Sequence, residues 1–310
     1  MIRRFICIVF SILWVLNSHG QEFGTHWISH PFPDDSAEVL FRHTYVTRHR
    51  PKQAFITFAS MGSCKVYINE RNISREIFYK NETPRGITLH TYDITRYLRP
   101  DSNTIAVWYA PCPQAQAYSQ DAASKQLSLD YYGTKHDGST FYQQADESWC
   151  CSLLEGNWTA QDSTGSTIEV FDNRQYDDNW KASNYVFTEA EKPVRRLLKE
   201  EKDTYTTIPT FPAKGNRLRL VLSPIAEYED SLGLHYDFCR FFRGSARITL
   251  REAKRGEKLE INGLVYICSG KMDEQAFRRL STSQQRAITI KGDRHFRKSQ
   301  IQKIEGLEIY

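Results

Sequence analysis

Alternation of apolar and polar residues at every second position runs through almost the whole chain, and long amphipathic helical patterns are nearly absent. The pattern predicts strands at Val39–Arg48, Gln53–Ala59, Cys64–Asn69, Ile87–Tyr92, Thr104–Ala110, Gln126–Tyr131, Trp149–Leu153 and Thr167–Phe171. The clearest stretch is Ile87 to Tyr109, two alternating strands joined by a polar reversal. There Asp93 and Thr95 can bond their own backbone, Leu98 plugs into a core, and Asp101 to Asn103 turns the chain. Met61-Gly62-Ser63 and Asn69 to Asn72 supply further turns.

From Asn184 to Gly215 the character changes. Glu189 to Lys202 is highly charged and could hold one or two helical turns, and Pro209, Pro212 and Gly215 then punctuate the chain. A second strand-rich block follows: Arg217–Leu222, Leu234–Phe238, Ser245–Arg251, Lys258–Ile261, Leu264–Cys268, Ala287–Lys291 and Ile301–Ile309. Asn262-Gly263 between apolar runs is a type I′ hairpin signal, and Asp273 to Leu280 reads as a short helix. The expectation is an all-β protein of two antiparallel β-sandwiches in tandem, of jelly-roll, galactose-binding-like type. The domains read as a signal peptide over 1–20, a first sandwich over 21–187, a linker over 188–215 and a second sandwich over 216–310.

The signal rests on Arg3 and Arg4 before the apolar run Phe5 to Leu16, too short to span a bilayer, with Ser18 and Gly20 at the cleavage site. A secreted or periplasmic location follows. Removing the two arginines takes the formal charge from +4 to about +2, which argues for no polyanionic partner and, with export, against nucleic acid. Arg240 to Tyr310 nevertheless carries an excess of roughly eight positive charges, either a solvated face or one that could meet acidic glycans. Six of the seven cysteines lie beyond the signal, with no zinc-like spacing; several sit in strand contexts as small core residues, and one or two disulfides are permitted. Sequons begin at Asn72, Asn81 and Asn157.

Ala54-Phe-Ile-Thr, Gly62…Val66-Tyr-Ile-Asn69 and Tyr92-Asp-Ile-Thr95…Leu98…Asn103-Thr-Ile-Ala resemble consecutive segments of the N-terminal domain of bacterial alpha-L-rhamnosidases. Trp27-Ile28, Phe41-Arg42, Asp137-Gly138, Asp146 to Trp149 and Glu169 to Arg174 extend the resemblance. Tyr236-Asp-Phe238, Gly244 and Asn262-Gly263 are similar to the next β domain, more faintly. Cys239, Glu70 and Thr167-Ile168 stand where the family has glycine. The family's catalytic carboxylates lie in a helical toroid downstream of these β domains. A motif for that acid pair has no counterpart here.

Acidic clusters at Glu227-Tyr-Glu229-Asp230, at Asp177-Asp178 and at Glu169 with Asp172 could each face a ligand or simply be solvated loops. Asp172, Asn173 and Asp177 form an oxygen-rich loop of the kind calcium takes; an ion-paired network of Glu169, Asp172 and Arg174 is the other reading. No HExxH, Walker loop or GxSxG occurs. A sugar needs an aromatic face and polar partners for its hydroxyls. Trp108 and Tyr109 lie at a strand end, and Trp180 stands beside Asp177, Asp178 and Asn179, with Asp172 and Asn173 nearby. The candidate carbohydrate-binding residues are Trp108, Tyr109, Asp172, Asn173 and Trp180. Alternation does not assign a strand-end tryptophan to ligand or to core, and both assignments stand. The resemblance implies an exported, non-catalytic binder of a rhamnose-containing oligo- or polysaccharide, with calcium as its ion. The alternatives are a truncated or split alpha-L-rhamnosidase completed by a separate glycoside hydrolase chain, and an enzyme using a carboxylate pair on the β scaffold.

Overall fold

The computed structural model describes residues 26–32, 37–74, 87–111, 126–154, 156–161, 167–185, 192–198, 205–207 and 217–310. The segment read as a signal peptide, Cys112, Asn81 and most of the proline-rich stretch lie outside the described residues. The protein is all-β, with short 3₁₀ turns as its helical pieces among those residues.

The first sandwich faces a six-stranded sheet against a five-stranded one. The six-stranded sheet runs Lys192–Pro193, Cys150–Leu154, Glu38–Val46, Ser102–Ala110, Ser63–Ile68 and Arg71–Asn72. The other runs Tyr205–Thr207, Ile87–Asp93, Gln53–Ala59, Ser128–Thr134 and Thr140–Gln144. Between them Phe41, Val66, Ile105, Val107 and Tyr109 pack on Ile56, Phe58, Leu129 and Tyr131.

Local chemistry fixes the turns. Asp93 accepts the Thr95 backbone N–H at 2.9 Å, as its place in the reversal predicts. Thr95 instead reaches across to the backbone of Ala54, accepting its N–H at 2.9 Å. Asn103 accepts the Arg99 N–H and donates to the Arg99 carbonyl, at 2.7 and 3.0 Å. Asn69 donates its amide to Asn103 at 3.0 Å, tying the neighbouring hairpin to the same turn. Asn262 and Gly263 have φ of 42° and 80°, the positive pair a type I′ turn requires.

The second body is a ten-stranded sheet around the 19-residue strand Gly233–Arg251. One end of that strand pairs with Ala226–Asp230 and Ser283–Gly292, the other with Ile301–Ile309 and Asp273–Phe277. A register shift between Asp237 and Phe242 lets one strand serve both halves, where the sequence suggested two separate strands. Asp273–Phe277 is a strand rather than a helix: Glu274 and Ala276 alternate inward with period two. Lys192–Pro193 and Arg195–Leu198 are likewise strands where a helical turn was expected.

The domains do not follow the chain in order. Trp158–Gln161 and Thr167–Asp172, expected in the first sandwich, join the second sheet, the latter parallel to Leu264–Ile267. Within the expected linker, the described strands Lys192–Pro193, Arg195–Leu198 and Tyr205–Thr207 return to pair with Cys150–Leu154, His26–Ser29 and Ile87–Asp93. The returning strands extend the edges of the first sandwich and satisfy backbone groups there. The chain therefore passes between the two bodies three times.

Candidate functional site

Ser102–Ala110 is buried on both faces, which explains where the predicted sugar platform goes. Ile105, Val107 and Tyr109 point into the first sandwich, whereas Ala106, Trp108 and Ala110 point out of it and into the second core. Glu38 and Leu40 on one neighbouring strand, and Lys65 and Tyr67 on the other, share that outer face by strand alternation. Against it pack Phe171, on the strand Thr167–Asp172, and Tyr176 and Trp180 on the segment that follows it.

Trp108 is 2 % exposed, its ring stacked on Tyr176 at 5.1 Å and flanked by Phe171 at 6.4 Å. Its indole N–H donates to the Glu38 carboxylate. Trp180 is 3 % exposed, stands edge-on to Tyr67 at 5.9 Å, and donates to the Tyr176 hydroxyl at 3.3 Å. Tyr109 is 3 % exposed within the first core. None of the three presents an open ring face to solvent. They are the apolar filling of the sandwich and of its junction with the second sheet.

The junction is also charged. The Arg279 guanidinium sits 3.6 Å above the Phe171 ring, the Lys65 ammonium 5.5 Å from Trp108, and the Lys181 ammonium 4.9 Å from Tyr67. Glu169, 1 % exposed, accepts the backbone N–H groups of Arg279 and Leu280 at 2.6 and 3.1 Å and the Ser281 hydroxyl at 3.1 Å. Burial raises its carboxyl above the usual range against the pull of those donors. Glu38 is fully enclosed, and burial pushes it up to about 8, beyond what the Trp108 hydrogen bond restores. Desolvation lowers Lys181.

The oxygen-rich loop is tied up internally. Arg174 grips Asp172 through Nε at 2.9 Å and Nη2 at 2.7 Å. Burial works to raise the Asp172 carboxyl, but the hydrogen bonds and charge of Arg174 hold it below the usual range. Asn173 turns its amide to Glu274 at 2.8 Å, and Asp177 caps the next turn by accepting the Asn179 N–H at 2.9 Å. Arg174 thus takes both carboxylate oxygens of Asp172 and the three residues face different partners, an arrangement that as it stands does not fit a calcium ion. No group of three or more His, Cys, Asp or Glu that could hold a metal occurs among the described residues. Of the expected ion-paired network, the Asp172–Arg174 pair is present while Glu169 serves the loop at 279–281 instead. The sequon asparagine Asn157 is 6 % exposed and accepts the Asp172 N–H at 2.8 Å, a structural position.

Comparison with known proteins places this fold. No curated protein sequence matches the chain. Among solved structures, the alpha-L-rhamnosidase from Dictyoglumus thermophilum is similar with a TM-score of 0.75 at 17 % identity, covering 93 % of this chain and 36 % of that one. The native enzyme from Aspergillus terreus gives 0.68 at 14 %, covering 92 % and 36 %. The Streptomyces avermitilis enzyme, complexed with L-rhamnose, gives 0.64 at 15 %, covering 89 % and 29 %. At such identities the likeness is one of fold, and the chain spans about a third of the length of these rhamnosidase structures. A sequence model of the alpha-L-rhamnosidase N-terminal domain matches residues 49–208, more than half of the chain. The chain belongs to the alpha-L-rhamnosidase N-terminal domain family.

Proposed function

We propose that this chain is an exported, non-catalytic carbohydrate-binding protein that holds a rhamnose-containing glycan for degradation. The observation that carries this reading is the family match across residues 49–208. The state of the acids supports it. Glu169 and Asp172 are consumed by scaffold contacts, and Glu227 is paired with Lys298 at 3.0 Å. Glycoside hydrolysis needs two carboxyl groups facing one another across a bond to be broken.

The test is titration of the purified full chain with rhamnose-bearing oligosaccharides, together with an aryl rhamnoside turnover assay. Binding without turnover is the expected result. Absence of binding to any glycan at millimolar ligand sinks the reading. Turnover abolished by Glu169→Gln or Asp172→Asn replaces it with an enzyme.

A second reading is favoured by coverage, since the chain matches 36 % of the Dictyoglumus thermophilum enzyme. In it the chain is the accessory portion of a rhamnosidase, working with a separate catalytic chain. Activity that rises when such a chain is added supports this second role.

A further inference from the structure

The acidic run Glu227-Tyr-Glu229-Asp230 lies on the strand Ala226–Asp230, which pairs along the near end of Gly233–Arg251. Its register sets Tyr228 directly opposite His235, with both side chains on one face of the sheet. The two rings stack at 4.6 Å with an interplanar angle of 10°. His235 is 8 % exposed and held at both nitrogens, 2.7 Å from Asp230 Oδ1 through Nε2 and 3.1 Å from Thr289 Oγ1 through Nδ1. Thr289 in turn donates its backbone N–H to Asn262 at 2.9 Å. Tyr228 itself remains 52 % exposed.

An aromatic ring backed on one side by an immobilised histidine is already ordered, so a ligand landing on its other side meets a smaller ordering cost. The Asp230 side chain, 44 % exposed, lies on the same face two residues on and accepts the Leu232 N–H at 2.7 Å. The hydrogen bond from His235 holds its carboxyl below the usual range. Ile225 and Leu232, both 67 % exposed, bracket the strand with apolar surface. Glu227, Glu229, Asp230 and Asp237 give the hairpin a negative balance, with Lys298 the cation paired to Glu227.

We propose that Tyr228, backed by His235, is the platform on which this chain binds a neutral pyranose, with the exposed Asp230 carboxylate accepting from the sugar hydroxyls. This rests on the carbohydrate-binding reading and assigns its site away from the buried tryptophans. A sugar's C–H face suits the ring, its hydroxyls suit a fixed carboxylate, and a 6-deoxy methyl suits the apolar flanks. The acidic surroundings oppose uronates by like-charge repulsion.

The test is calorimetric titration of the full chain with methyl α-L-rhamnoside, a rhamnose-bearing oligosaccharide and an oligogalacturonate. Wild type, Tyr228→Ala and Tyr228→Trp are compared, with the thermal midpoint of each recorded. Tyr228→Ala is expected to weaken neutral-sugar binding by about tenfold or more at an unchanged midpoint, and Tyr228→Trp to preserve it. The oligogalacturonate should bind more weakly than the neutral glycan. Neutral-sugar binding undiminished in Tyr228→Ala overturns the platform while leaving the carbohydrate-binding reading intact. Absence of binding by wild type overturns both.

Discussion

Glu38 accepts the indole N–H of Trp108 inside a junction sealed between two β-sheets. The carboxyl is therefore largely protonated at neutral pH, pushed up to about 8 by burial. An acid whose folded pKa is raised stabilises the fold fully below its unfolded value, and that contribution is lost as pH rises through the folded one. Between about pH 4.5 and 8 the unfolded chain alone gives up this proton, a loss of about 1.4 kcal/mol per pH unit. Glu38→Gln keeps an acceptor for Trp108 and removes the titration. The difference in unfolding free energy between variant and wild type should shift in the variant's favour as pH rises across that window. Urea unfolding at pH 5, 6, 7 and 8 measures it.

Trp108→Ala and Trp180→Ala are expected to act on stability. Each removes a buried indole from the junction, at a cost of about 3–5 kcal/mol. Trp108→Ala also strips Glu38 of its donor. Denaturant midpoints should fall in both variants. Any sugar binding should remain in whatever fraction stays folded.

Glu70 has a φ of 72°, in the left-handed region where a side chain costs roughly 1–2 kcal/mol. Its ion pair with Arg99 is 3.9 Å long with both side chains about half exposed, and contributes little. Glu70→Gly should stabilise the protein by about 1 kcal/mol, since glycine adopts this conformation freely. Thermal unfolding is the check. An unchanged or lower midpoint counts against the strain.

Calcium should leave stability unchanged. An ion bound to the native state at a hundredfold excess over its dissociation constant would add about 2.7 kcal/mol. With Arg174 on Asp172, no such gain is expected from millimolar calcium, and no loss from a chelator. A calcium-dependent rise in the midpoint would show that the loop rearranges to take the ion.

The strands themselves were legible in the chain because alternation and turn residues act locally. Gln53–Ala59, Lys258–Ile261 and Ile301–Ile309 fall where the pattern puts them, and Asn262-Gly263 turns as its residue types demand. Asp273–Phe277 hides its period of two because one of its two inward positions holds a charged residue, Glu274, where an apolar one would mark a strand. Tyr228 stands in the acidic run that the sequence displays, but the histidine behind it comes from a register that sequence spacing does not supply.

By itself the sequence determined an all-β protein with turns at named residues, and its motifs carried the likeness to the rhamnosidase front. Tertiary structure alone decided what the tryptophans do. On Ser102–Ala110 alternation separates Trp108 from Tyr109 onto opposite faces, yet says nothing of what covers either. The crossing of Thr167–Asp172 into the second sheet covers the outer face. Burial is a property of the neighbours a residue meets across the fold. That is why the conspicuous tryptophans became core and a half-exposed tyrosine on an edge hairpin became the surface to test.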